Sequence, residues 1–297
     1  MARMHAGEVD IDADLVRELL DAQFPDLAAL PIRELRSTGT VNAIYRIGAD
    51  RYARLPRVRD WADDLANEAH WLPQLAPLLP LSVPEPVAIG RPAAGYPFQW
   101  AVYRWLDGQT YAPDLVSDEH QAARDLAGFV LALRRIRLAG APRSRRDQPL
   151  RLRDAGTRTA IAALGAAFDK PAVTAAWESA LTAPGWDGEP VWNHGDLLPP
   201  NLLVRDGRLT AVIDFGSVGV GDPAVDVIPA WSVFGQSGRE TFRAALDADG
   251  PTWARARGLA LHQALLVIPY YVETNPGFVE MATRTIEAVL ADQSQNG

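Results

Sequence analysis

Hydrophobic and polar positions repeat along the chain in two regimes. Near the start, Val9, Ile11, Leu15, Val16, Leu19 and Leu20 recur among acids with helical spacing. This predicts an amphipathic helix within residues 8–24 that begins after Asp12 or Asp14 and closes at Pro25 and Pro31. Short apolar runs follow. Ile32–Leu35, Ala43–Ile47 and Arg51–Pro56 read as strands, with the small polar turn from Ser37 to Asn42 between the first two. Trp61, Leu65, Ala69 and Leu72 restore the helical period, and a proline-rich connection from Pro73 to Pro86 leads to further strand-like runs at Val87–Gly90 and Phe98–Tyr103.

From Asp118 the pattern becomes mostly helical. Ala122, Leu126, Phe129, Val130 and Leu133 make one apolar face, which ends in Arg134, Arg135 and Arg137 and reads as a solvated basic helix end. Ala139 to Asp147, rich in Gly, Pro, Ser and Arg, reads as a mobile loop. Helices are predicted at 153–168, 170–182, 223–234, 239–247, 252–271 and 276–291, the last opened by Asn275-Pro276. One β-unit interrupts them: Leu202–Arg205 and Arg208–Ile213 flank Asp206-Gly207, a strong two-residue hairpin signal.

Composition narrows the choices. The 297 residues, 48% hydrophobic and 22% charged, suffice for one large or two small cores. There is no cysteine, which excludes disulfides, thiol nucleophiles and Cys-bound zinc. No signal peptide is apparent, and the longest apolar stretch, Ala264 to Tyr271, is interrupted by Pro269, so a cytoplasmic protein without a membrane span is expected. Residues 185–297 carry 7 Arg and 14 acids, which is −7 of the total −8. That field opposes nucleic acid and suits a cationic partner; a solvated acidic surface would give the same count. The oligomeric state is open.

The hairpin collects the candidate chemistry. His194-Gly195-Asp196 precedes it, Asn201 stands five residues after Asp196 at its entry, and Asp214-Phe215-Gly216 ends its second strand. A carboxylate that orients an attacking hydroxyl, followed by an Asn and a second carboxylate able to bind Mg²⁺, is the spacing phosphoryl transfer needs. With Gly221-Asp222-Pro223 downstream, the stretch resembles the aminoglycoside phosphotransferase family, small-molecule kinases with a protein-kinase-like fold.

The resemblance implies an α+β, two-lobed fold. It places a β-rich nucleotide-binding lobe at 1–103, a hinge at 104–108 and a helical lobe at 109–297 with catalytic loop, metal site and acceptor region. Asp196 becomes the catalytic base, Asn201 and Asp214 the Mg²⁺ ligands, and His194 and Asp226 supports of the catalytic loop. Ser37, Thr38, Gly39 and Thr40 would cover the phosphates of ATP or GTP, while Arg104, Trp105 and Leu106 would border the base through backbone groups. The usual phosphate-binding Lys is missing, since Lys170 is the only lysine; Arg54 takes its place in the third strand, with Glu68 as partner. The acceptor is a small-molecule hydroxyl, with aminoglycoside-type antibiotics in front and sugars, amino-alcohols or other metabolites as alternatives. A non-catalytic nucleotide-binding module is the reading from another class.

Overall fold

The computed structural model describes residues 8–35 and 42–296, so the expected phosphate-covering segment Ser37–Thr40 lies outside the described residues. The chain forms two compact units. One comprises residues 1–107 with 212–217, the other 108–211 with 218–297. Among the described residues no helix is long and apolar enough to cross a membrane.

The first unit is built on a five-stranded antiparallel sheet of order β1-β2-β3-β5-β4: β1 Ile32–Leu35, β2 Asn42–Ile47, β3 Arg51–Pro56, β4 Pro86–Gly90 and β5 Trp100–Arg104. Helix α1 (Ala13–Gln23) starts where the Asp12 carboxylate accepts from the Leu15 N–H at 2.8 Å, satisfying one orphan donor of the first turn. It buries Val16, Leu19 and Leu20 in a core shared with Tyr45, Ile47, Leu55 and Trp100. A short α2 (Pro25–Ala28) follows.

Helix α3 (Arg59–Leu75) runs farther than its sequence suggests, passing through Pro73. A proline so close to the end removes a single helical hydrogen bond, and burial of Leu72 and Leu75 outweighs that loss. Glu68, on the inner side of α3, is fully buried.

The second unit holds β6 (Gln109–Thr110), β7 (Val191–Asn193), β8 (Leu202–Arg205), β9 (Arg208–Val212) and β10 (Gly219–Gly221) among its helices. β8 and β9 form the expected hairpin, with Asp206 and Gly207 at φ 53° and 75°, the left-handed pair that a two-residue turn requires. β10 pairs with β7. Helix α4 (Glu119–Arg135) is capped by Asp118, α6 (Lys170–Leu181) by Asp169 and α9 (Gly250–Tyr271) by Asp249. α5 (Leu150–Ala163), α8 (Gln236–Leu246) and α10 (Pro276–Asn296) complete the long helices.

Three readings of this half are corrected. α5 begins three residues before 153 and stops at Ala163, because Leu164 turns extended (ψ 142°) ahead of the turn at Gly165–Phe168. Residues 223–234 are not one helix. A 3₁₀ segment, Pro223–Val227, kinks at Asp226 (φ −92°, ψ 15°), and a single turn, α7 (Pro229–Ser232), follows; Pro229 has no N–H to continue the ladder. Arg134 at the end of α4 turns inward and donates to the Pro223 carbonyl at 2.7 Å, so this end is not simply solvated. The 139–147 segment is fastened along β10: Val220 N–H donates to the Pro142 carbonyl (2.7 Å) and Ser144 N–H to the Val220 carbonyl (3.0 Å). The segment is a loop, as its composition indicates, and two backbone bonds join it to β10.

Candidate active site

The catalytic-loop candidates gather in the second unit. The loop leaves β7 at His194, and Gly195 sits at φ 88°, where a side chain would be strained; this is the reason a glycine separates His194 from Asp196. The buried carboxylate of Asp226 accepts from both successive amides, His194 N–H at 2.7 Å and Gly195 N–H at 2.9 Å. Burial pushes the Asp226 carboxyl above the ordinary range, opposed by the neighbouring His194 ring, by these two N–H donors and by Arg134. The kink in the 3₁₀ segment is what turns this side chain to the loop. His194, itself buried, accepts through Nδ1 from the Asp196 N–H at 3.1 Å.

Asp196 is thereby held at the loop surface with its carboxylate surrounded by donors. Asn201 Nδ2 lies 3.0 Å from Oδ2 and 2.9 Å from the Asp196 carbonyl; Gln263 Nε2 lies 3.1 Å from Oδ1 and Arg146 Nη2 3.4 Å from the same oxygen. Among these donors Asn201 alone was singled out by its spacing, as a metal ligand rather than as a partner of Asp196. Gln263 and Arg146 were not. Gln263 carries a faint sequence signal, an amide directly ahead of the apolar run that starts at Ala264 in α9; Arg146 carries none. Below Gln263 a small, mainly apolar pocket is lined by Leu198, Ile228, Ala264, Val267 and Met281.

The first unit holds the other cluster. Arg54 on β3 is only 8% exposed, and its Nη1 meets both oxygens of Glu68, at 3.1 and 2.9 Å. Nη2 meets Asp214 Oδ1 at 2.8 Å. With the Asn42 amide oriented oxygen-inward, that oxygen accepts from Nη2 and Nε, both at 3.1 Å. Burial alone would lower the guanidinium pKa, but the charges of Asp214 and Glu68 hold it well above its ordinary value. Glu68 Oε2 also accepts from the Phe215 N–H at 2.8 Å, tying α3 to the Asp-Phe-Gly segment, where Asp214 adopts φ 65°.

The expected Arg54–Glu68 pair is therefore present, and Asp214 joins it. Farther along the same unit, Arg104 and Trp105 give their N–H groups to the Glu85 and Asp50 carbonyls, and Leu106 follows them.

For Mg²⁺ the donor chemistry fits. Asn201 spends its Nδ2 on Asp196, leaving the amide oxygen as acceptor, and Asp214 offers a carboxylate whose side chain is 43% exposed. Both are hard oxygen donors of the kind this cation takes. No group of three or more His, Cys, Asp or Glu among the described residues could hold a metal alone.

Residues 32–259 match the sequence profile of the phosphotransferase enzyme family, APH. The chain belongs to that family. As a member it is similar to the uncharacterized protein YcbJ of Bacillus subtilis (strain 168), 28% identical over 222 residues, 68% of this chain and 69% of the relative. It is also similar in structure to wild-type aminoglycoside 2′-phosphotransferase-IIIa in its GDP complex, with a TM-score of 0.75 at 21% identity across 95% of this chain and 100% of that one. A third likeness is to macrolide 2′-phosphotransferase MphH from Brachybacterium faecium: TM-score 0.61, 26% identity, 93% and 97% coverage. The fold of this phosphotransferase-family chain is the two-lobed, protein-kinase-like α+β fold.

Proposed function

We propose that the protein transfers the γ-phosphate of ATP or GTP to a hydroxyl of a small molecule. The observation that carries this reading is the Asp196 loop, in which an acid braced through Asp226 and His194 has the Asn201 amide on one carboxylate oxygen. Asp196 accepts or orients the hydroxyl proton. Asn201 and Asp214 would hold Mg²⁺, which supplies charge neutralisation of the phosphates when bound. Arg54, fixed by Glu68 and Asn42, provides the phosphate-binding cation that a lysine supplies in kinases generally, and Arg104, Trp105 and Leu106 border the base. Positioning and electrostatics carry the reaction, with no covalent enzyme intermediate.

The relatives' acceptors, aminoglycosides and macrolides, support an antibiotic-type acceptor, with a sugar, amino-alcohol or other metabolite as the second choice. The test is phosphate transfer from ATP and from GTP into a library of hydroxylated compounds. Transfer to at least one, abolished by Asp196→Ala, is expected. Nucleotide binding with no transfer to any compound would leave the binding-module reading instead.

A further inference from the structure

The immediate surroundings of Asp196 are basic, although the half of the chain that contains it is acidic. Arg146 reaches the Asp196 carboxylate with a side chain that is 46% exposed. Its backbone is held in place: Arg153 donates from Nη2 to the Arg146 carbonyl at 2.7 Å and from Nε to the Gln148 carbonyl at 3.1 Å. Burial lowers the Arg153 pKa and the charge of Arg146 lowers it further, while the Asp147 carboxylate opposes both.

A third group reports the same field. His262, next to Gln263 on α9, has its pKa lowered to about 4 by burial and by the charges of Arg153 and Arg146. Nearby acids are otherwise engaged. Asp147 binds Arg143 (2.8 Å) and the Asp222 N–H (3.0 Å), Asp222 binds Arg255 (2.7 Å), and Asp226 is sealed under the loop.

The arginine segment is seated by close packing. A Cβ on Gly219 would lie 2.6 Å from the Ser144 nitrogen, and one on Gly221 would overlap the Asp147 side chain. Glycine at both places of β10 lets 142–147 lie against it. The placement of Arg146 follows from this packing together with the β10 pairing.

Resting on the phosphotransferase reading, we infer that Arg146 selects the acceptor and receives a carboxylate carried close to the hydroxyl that Asp196 engages. Asp196 is the anion that Arg146 meets, at 3.4 Å. An incoming hydroxyl that takes up the Asp196 carboxylate leaves the guanidinium to pair with an anion of the acceptor, and its planar fork suits a carboxylate. An acceptor amine at that place would meet the Arg146 guanidinium. This moves the acceptor from the antibiotic choice to the metabolite one: a hydroxy acid is favoured, and polycations such as the aminoglycosides named for the structural relatives are disfavoured despite the chain's net −8.

Gluconate, glucose and glucosamine share one polyhydroxylated skeleton with a carboxylate, no charge or an ammonium, and serve as probes. Phosphate transfer and ligand-dependent melting shifts are measured with Mg-ATP and Mg-GTP for the wild type, R146Q, R146E and R146K. The wild type should favour gluconate over glucosamine by at least tenfold; R146Q should erase the preference, R146E reverse it and R146K restore part of it. A wild-type preference for glucosamine, the same ratio in wild type and R146E, or neither binding nor transfer with any probe would overturn the inference. Gluconate-dependent shifts that vanish in R146Q, without transfer, would uphold Arg146 and remove the phosphotransferase reading. Transfer with a charge preference indifferent to position 146 would do the reverse.

Discussion

Replacing Arg54 by Met keeps much of the side chain's apolar length and removes its charge. The cost follows from burial. Glu68 is fully buried and receives two contacts from Nη1, so the variant would strand a carboxylate whose remaining partners include the Phe215 N–H. Breaking a buried pair from one side costs about 3–5 kcal/mol. The contact to Asp214 adds little, because that carboxylate is 43% exposed and solvent takes over, a contribution of about 0–1 kcal/mol.

A chain of two compact units need not unfold in one step, so the appropriate measurement is native-state hydrogen exchange in peptides from β3 and α3. Their opening free energy should fall by about 3–5 kcal/mol in Arg54→Met. Arg54→Met combined with Glu68→Leu should recover at least half of it, since the stranded charge is gone. Arg54→Lys should lose about 1–3 kcal/mol, because one ammonium cannot serve Glu68, Asp214 and Asn42 as the fork does. A loss below about 1 kcal/mol in Arg54→Met, or a double variant worse than the single, would refute the claim that this pair is a buried, mutually dependent one.

Asp226→Ala leaves the His194 and Gly195 amides unpaired and should destabilise the second unit by about 2–6 kcal/mol, read by exchange in peptides spanning 191–201; unchanged protection there would dismiss the brace. Asp196→Ala should reduce transfer by at least a hundredfold while Mg-nucleotide affinity stays within about threefold, whereas Asp214→Asn should weaken the magnesium-dependent part of nucleotide binding, both checked by calorimetry beside turnover. His262 contributes a pH dependence. Its folded pKa of about 4 lies below the ordinary 6.5, so its contribution is complete above pH 6.5 and is lost as pH falls toward 4, to a limit of about 3 kcal/mol. Denaturant titrations at pH 7, 6 and 5 should show this slope in the wild type and a flatter one in His262→Gln, which can still bond Thr157.

The parts legible in the sequence were those written in local periodicity or turn chemistry. The Asp206-Gly207 hairpin, the strand bearing Arg54 and the helix bearing Glu68 all follow from patterns a few residues long. The family and its fold were legible as a resemblance, carried by His194-Gly195-Asp196, Asn201, Asp214-Phe215-Gly216 and Gly221-Asp222-Pro223. Contacts made across long separations were less accessible. Gln263 reaches Asp196 over 67 positions, and Asn42 faces Arg54 only because β2 pairs with β3 in a particular register. The loop at 139–147 was legible from its composition, whereas its pairing with β10 was not. Asp226 was placed in a helix since its neighbours are apolar; the kink that aims its carboxylate depends on tertiary packing.

The two hydrogen bonds from Asp226 also bear on how the chain matures during synthesis. The His-Gly-Asp stretch leaves the ribosome 32 residues before the acid that fixes the His194 amide and 67 before the amide of Gln263. Throughout that interval the nascent motif is complete in letters and unformed in shape. A chain released after the hairpin would carry the signature residues through Asp214 with no brace beneath them. Competence at the ribosome therefore arrives late, with the C-terminal helices, and a truncation far downstream of the motif should silence it as fully as a substitution within it.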